Sequence, residues 1–104
     1  MKKLVLVTAL AAGFACASVL AATPEEAMNK AGCMACHSKD KKIVGPAFKE
    51  IAAKYKGQDV RAKLFEKVRK GGSGSFGPVP MSPNPPEKIN DADLKAAIEY
   101  ILKS

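Results

Sequence analysis

Between positions 71 and 86 the chain places four glycines and five prolines in sixteen residues, running from Gly71-Gly72 to Pro85-Pro86. Each proline fixes φ and withholds a backbone N–H, and each glycine resists ordering. No helix or central strand survives that composition, so the segment reads as one long structured loop. A loop of this length inside a small domain is usually functional. Whatever the chain folds into must be built from the helical sequence on either side and must have a use for this stretch.

The flanking sequence is helical and well punctuated. Thr23-Pro24-Glu25-Glu26 is a capping box with proline at the first helical position, and that helix runs to about Lys30 and stops at Gly32. Pro46 starts a second helix after Gly45, with Phe48, Ile51, Ala52 and Tyr55 on one side and an end near Gly57. Asp59 caps a third, which carries Val60, Leu64, Phe65 and Val68 at helical spacing and closes at Gly71-Gly72. Asn90 and Asp93 form another box, ahead of a Leu94, Ile98, Ile101, Leu102 stripe. Each cap contributes about 1 kcal/mol. There is no internal repeat and no linker long enough to divide domains. The expected fold is all-α, a single domain of about four helices over residues 23–104.

Residues 1–22 are read as outside that fold. Lys2 and Lys3 precede an uncharged apolar run from Leu4 to Leu20, followed by Ala21, Ala22 and polar sequence. This is the layout of a secretory signal peptide, with cleavage after Ala21 or Ala22. A retained anchor is disfavoured because the run is short for a span of about 20 apolar residues and is rich in Ala and Gly. A lipoprotein signal at Cys16 lacks the usual aliphatic residue three positions before it. Removal takes two lysines from the 17 basic residues and leaves 15 against 10 acidic ones, a net charge of +5, with two cysteines. Export implies an oxidising compartment, here the periplasm. A chain of about 82 residues buries only about 60–65% of its unfolded surface, so something beyond its own side chains should complete the core.

The chemistry is concentrated in Cys33-Met34-Ala35-Cys36-His37, which holds the only histidine of the chain. A metalloenzyme with several imidazole ligands is therefore excluded. C-x-x-C-H is the attachment signature of c-type haem. Two thiols three residues apart can each add to one vinyl group, and the next residue places its imidazole under the iron. A thioredoxin-like disulfide would want a βαβ context, and this chain offers no convincing strand. Zinc needs four ligands, and two Cys with one His fall one short. A plain structural disulfide leaves the adjacent His unexplained. For the second axial position no other imidazole exists, and methionine sulfur is the common alternative. Met34 is inside the attachment loop, and Met28 is in the helix leading to it and reads as core. Met81 lies 44 residues past His37 in Gly77-Pro78-Val79-Pro80-Met81-Ser82-Pro83, where the prolines lower the entropy lost in holding one sulfur still. Met81 is therefore the expected ligand opposite His37.

These stretches together resemble the small bacterial class I cytochromes c of the cytochrome c-551/c-552 type, also called cytochrome c8. The likeness runs over essentially all of residues 23–104 and rests on 30–37, Val44-Gly45-Pro46-Ala47-Phe48, Gly71-Gly72-Ser73-Gly74, and Gly77 to Met81 with Pro83-Asn84. The resemblance implies one covalent haem c on Cys33 and Cys36. It implies that the Pro46 carbonyl accepts the hydrogen bond of the ligand His, that Asn84 helps orient the Met sulfur, and that Lys67 lies near a propionate. The family usually has Trp where this chain has Phe76. Phe cannot donate a hydrogen bond, so one propionate is expected to be less restrained.

A His–Met haem has no open iron position, so the expected role is one-electron transfer, not catalysis. A small peroxidase or gas-binding haem protein, with Met81 displaced, would bind CO readily, and a haem-less thiol or metal module would be colourless. The resemblance allows redox partners such as a bc1-type complex, a nitrite reductase, a terminal oxidase or a cytochrome c peroxidase. Docking would use the exposed haem edge, through Met34, Ile43, Pro78, Val79 and Pro80. Lys30, Lys39, Lys41 and Lys42 would form a basic rim that steers acidic partners. No nucleic acid partner and no membrane span in the mature chain are implied, and a monomer is expected.

Overall fold

The computed structural model describes residues 22–104 and, before them, only Thr8, Ala12 and Gly13. The expected signal peptide, with Cys16, lies outside the described residues. Helix α1 spans Pro24–Ala31 and is closed by Gly32. Its capping box is complete: the Glu26 N–H donates to Thr23 Oγ1 at 3.2 Å, and the Thr23 N–H donates to Glu26 Oε2 at 3.3 Å. Helices α2 (Phe48–Lys54), α3 (Arg61–Lys70) and α4 (Asp91–Leu102) follow in the expected order. A short 3-10 turn, Cys33–Ala35, carries the attachment pentapeptide and was not foreseen.

Two helix starts move for physical reasons. Pro46 stands outside α2, whose first backbone bond runs from the Ile51 N–H to the Ala47 carbonyl. The Pro46 carbonyl is engaged elsewhere. Helix α3 takes Val60, not Asp59, as its N-cap. The Asp59 carboxylate instead faces the Arg61 guanidinium at 3.1 Å, and those bonds hold its pKa below the usual carboxylate range. At α4 the Asn90 side chain accepts the Asp93 N–H at 2.8 Å as expected, but Asp93 answers to the Asn90 amide group, not to its backbone.

The larger departure lies in the Gly/Pro tract, which is not a loop throughout. Strands β1 (Gly72–Gly74) and β2 (Gly77–Met81) pair antiparallel about a Ser75-Phe76 turn, with Gly72 opposite Met81, Gly74 opposite Gly77, and an irregularity between. Two strands leave each with one open edge. Pro78 and Pro80 occupy alternate positions, so their missing N–H groups can fall on the side without a partner. The fold is thus mostly helical, with a small hairpin where unbroken loop was expected.

Helix α4 is the hub and packs against α1, α2 and α3. Leu94, Ala97 and Ile98 are buried against Ala27, Met28, Phe48 and Ile51. Ile101 and Leu102, the end of the expected stripe, are half-buried. Helix α3 behaves differently. It has no buried residue although it carries Leu64, Phe65 and Val68. Leu64, Phe65 and Val68 are half-buried against the edge of the core, and Leu64 and Val68 also line a cleft between α2, α3 and the hairpin.

Candidate haem site

The cleft has a volume of about 980 Å³. Its first wall grows from the 3-10 turn. The N–H groups of Cys36 and His37 both donate to the Cys33 carbonyl, at 3.2 and 3.0 Å, and hold two thiols and an imidazole on one tight turn. Both thiols are free, Cys33 half-buried and Cys36 exposed. Burial pushes the Cys33 thiol up from its ordinary value. His37 Nδ1 donates to the Pro46 carbonyl at 2.8 Å, which fixes the tautomer and leaves Nε2 as the ring's open lone pair. The imidazole stacks on Phe48 with centroids 5.6 Å apart. Gly45 closes over it. A Cβ there would lie 2.5 Å from Cε1 and 2.9 Å from Nδ1 of His37, so only glycine fits.

The second wall comes from the tract that opened the sequence analysis. Met81 ends β2, half-buried. A Cβ at Gly71, which has φ 70°, would run into the Met81 carbonyl, so the α3 terminus and the Met81 segment touch backbone to backbone. Asn84 is the one buried polar residue among those described. Its side-chain amide donates to the Ser82 and Val68 carbonyls at 3.0 and 3.3 Å, and its own N–H donates to Val68 at 3.0 Å. These bonds pin the residues after Met81 to the end of α3. Lys67 lies along α3 and reaches the Ser73 carbonyl at 3.4 Å. Phe76 sits at the hairpin tip, 38% exposed.

All eight residues expected at the site therefore line one cleft: Cys33, Cys36, His37 and Pro46 on one wall, and Lys67, Phe76, Met81 and Asn84 on the other. Met28 is 1% exposed in the core, and Met34 packs against that core away from the cleft. Among the described residues no three His, Cys, Asp or Glu side chains gather as a site for a bare metal ion. Two free thiols, an imidazole with one open nitrogen, and apolar walls fit haem c. Of the rim residues, Ile43, Val79, Pro78 and Pro80 are exposed, but Met34 is half-buried and does not reach it. Val44, by contrast, is 54% exposed and lines the cleft.

Sequence reasoning missed three contributors. Gly45 matters through a contact that no local pattern reveals. Lys54 at the end of α2 donates to the Ser75 carbonyl across the cleft rim. Arg69 donates from Nη1 to the Asn84 and Ile89 carbonyls at 3.0 and 2.7 Å, and from Nη2 to Asp91 at 2.6 Å.

Comparison with known proteins agrees with this geometry. The family model described as Cytochrome c matches residues 22–104. The chain is 54% identical to cytochrome c2 of Rubrivivax gelatinosus over 84 residues, covering 80% of this chain and 99% of that one. It is 38% identical to cytochrome c-551 of Pseudomonas aeruginosa over 104 residues, covering 98% and 97%. Among solved structures, Nitrosomonas europaea cytochrome c552 superposes with a TM-score of 0.68 at 42% identity, covering 76% of this chain and 96% of that one. Fold, cleft and relatives together define a small class I haem protein that carries one electron, in a family of electron-transfer proteins and not of enzymes. The chain belongs to the cytochrome c family, in its c-551/c-552 (c8) branch, with one covalent haem c and redox proteins as partners. No helix among the described residues is long and apolar enough to cross a membrane.

Proposed function

We propose that this cytochrome is exported by residues 1–22 to the periplasm and that His37 and Met81 take the two axial positions of its haem iron. The observation that carries the reading is the Nδ1–Pro46 bond at 2.8 Å, which leaves Nε2 of His37 for the iron while Met81 lies on the facing wall of the same cleft. When bound, the haem supplies one-electron iron redox chemistry. The protein's residues supply its setting. Cys33 and Cys36 tether it. Pro46 orients the imidazole and makes it a stronger donor. Asn84 steadies the Met81 segment, Lys67 offers a cation to a propionate, and Phe76 closes one end without donating a hydrogen bond.

Partner docking is assigned to the rim where Ile43, Val44, Pro78, Val79 and Pro80 are exposed. Lys42 is exposed at the cleft, and Lys30, Lys39 and Lys41 are exposed around the attachment loop. An apolar centre with a basic surround suits acidic redox proteins, such as a bc1-type complex, a nitrite reductase, a terminal oxidase or a cytochrome c peroxidase. The chain acts as a monomer in this reading.

The test is an absorption spectrum of protein made with a c-type maturation system, taken oxidised, reduced, and reduced under CO. A low-spin reduced spectrum unmoved by CO is expected. A rapid CO shift would overturn Met81 as the ligand. Partner reduction rates that do not fall with added salt would overturn the basic rim.

A further inference from the structure

The hairpin that ends in Met81 is poorly supported by packing. Neither strand packs broadly against a helix, and every strand residue except Met81 is exposed. Its base is fixed to α3 through Gly71 and Asn84. Its tip is fixed by a different device. The two residues of the turn, Ser75 and Phe76, both contact the last turn of α2. Lys54 Nζ donates to the Ser75 carbonyl and stands 4.3 Å from the Phe76 ring centroid. Phe76 meets Tyr55 edge to face, with centroids 6.3 Å apart at 81°. The same ammonium lies 5.6 Å from the Tyr55 ring, and Lys63 covers that ring from α3 at 5.3 Å. Helix α2 belongs to the His37–Pro46 wall and the hairpin to the Met81 wall. The contact therefore joins the two walls of the cleft at their rim.

We infer that Lys54 is a positioning residue: its ammonium clasps the Ser75-Phe76 turn to α2 and thereby sets how often the Met81 arm swings away from the cleft. The inference rests on the reading of Met81 as an axial ligand. A cation over two aromatic rings plus one charge-assisted bond, even at an exposed site, is enough to shift an opening equilibrium by about five- to tenfold. A neutral residue of equal length would keep the packing and lose that hold.

The experiment uses oxidised holoprotein of wild type, Lys54→Met, Lys54→Arg and Phe76→Leu. Imidazole capture is followed by stopped flow, and its limiting rate at saturating imidazole reports Met81 release. Amide hydrogen exchange is measured over Gly72–Met81 and over α4 in the same samples. Lys54→Met is expected to raise the limiting rate about five- to tenfold and to speed hairpin exchange in parallel, with α4 unchanged. Lys54→Arg should restore both to within about twofold of wild type, because the cation and its donors return. Phe76→Leu should fall between. Equal limiting rates and equal hairpin exchange in wild type and Lys54→Met would overturn the clasp. Failure of the ligand reading looks different: the wild type would lack the sulfur-to-iron charge-transfer band and show no limiting rate. Hairpin exchange alone would then decide on the clasp.

Discussion

Replacing Arg69 by methionine should be among the most destabilising single changes outside the haem contacts. Its guanidinium is only 14% exposed and packs over the Phe65 ring at 5.1 Å. Nη1 satisfies two carbonyls, Asn84 and Ile89, at the two ends of the segment that leads from the Met81 wall to α4. Hydrogen bonds from a charged donor contribute about 1.5–3 kcal/mol each. Both bonds are part-buried, and the lower end of that range for each gives about 3 kcal/mol together. The Asp91 partner is 69% exposed, so that ion pair adds about 0.5 kcal/mol or less. In a domain of this size a loss of about 3 kcal/mol lowers Tm by roughly 10–20 °C. Holoprotein would be melted in guanidinium and by heat, followed by circular dichroism and by the haem absorption. Arg69→Lys should recover less than half of the loss, since a single ammonium cannot reproduce the planar fork. Asp91→Ala should cost well under half of it. If Asp91→Ala destabilises as much as Arg69→Met, the energy resides in the ion pair and the reasoning is wrong.

Three further outcomes are expected. Gly45→Ala drives a methyl into the imidazole, so the His37–Pro46 bond must lengthen; a lowered Tm and a shifted hyperfine pattern of the His37 ring protons by NMR check this, and unchanged spectra refute it. Cys33→Ala/Cys36→Ala protein, made without haem, should be largely unfolded by circular dichroism, because Leu64 and Val68 of α3 line the cleft and no residue of α3 is fully buried without the haem; a cooperative melt at native stability counts against it. Phe76→Trp restores an indole donor at the hairpin tip, so redox titration across pH should show an altered pH dependence of the potential relative to wild type, and identical curves would remove the propionate argument.

What the sequence made legible was local. Thr23 with Glu26, and Asn90 with Asp93, announce helix starts because a cap is decided within four residues. The C-x-x-C-H run states its chemistry because the thiols and the imidazole share one turn. Met81 could be singled out because the methionines were few and the others had homes, and the structure places it in the cleft wall. The hairpin was hidden by its own composition: two prolines argue against a strand unless one edge is open, and that openness is a tertiary fact. Arg69 was hidden because its carbonyl partners lie 15 and 20 residues away and carry no side-chain signal. Gly45 looked like a turn residue, and its close approach to His37 follows from folding, not from spacing.

The two walls of the cleft are therefore built on different principles. The His37 wall is short-range: every bond that orients the imidazole joins residues no more than nine positions apart, and it sits directly on the Phe48 core. It should keep its shape whenever α1, α2 and α4 are packed. The Met81 wall is long-range, and its strands bury no side chain. It is held at one end by Asn84 and Arg69 on α3 and at the other by Lys54 on α2. With Met81 as the proposed ligand, an electron carrier gains from a coordination shell that barely changes between oxidation states, and such preorganisation must come from the weaker wall, because the stronger one has it already. The prolines around Met81 supply part of it by narrowing the unfolded ensemble. The polar clamps supply the rest. Substitutions at Arg69 and Lys54 should thus change how Met81 is held before they change anything at His37, and that asymmetry follows from chain topology alone.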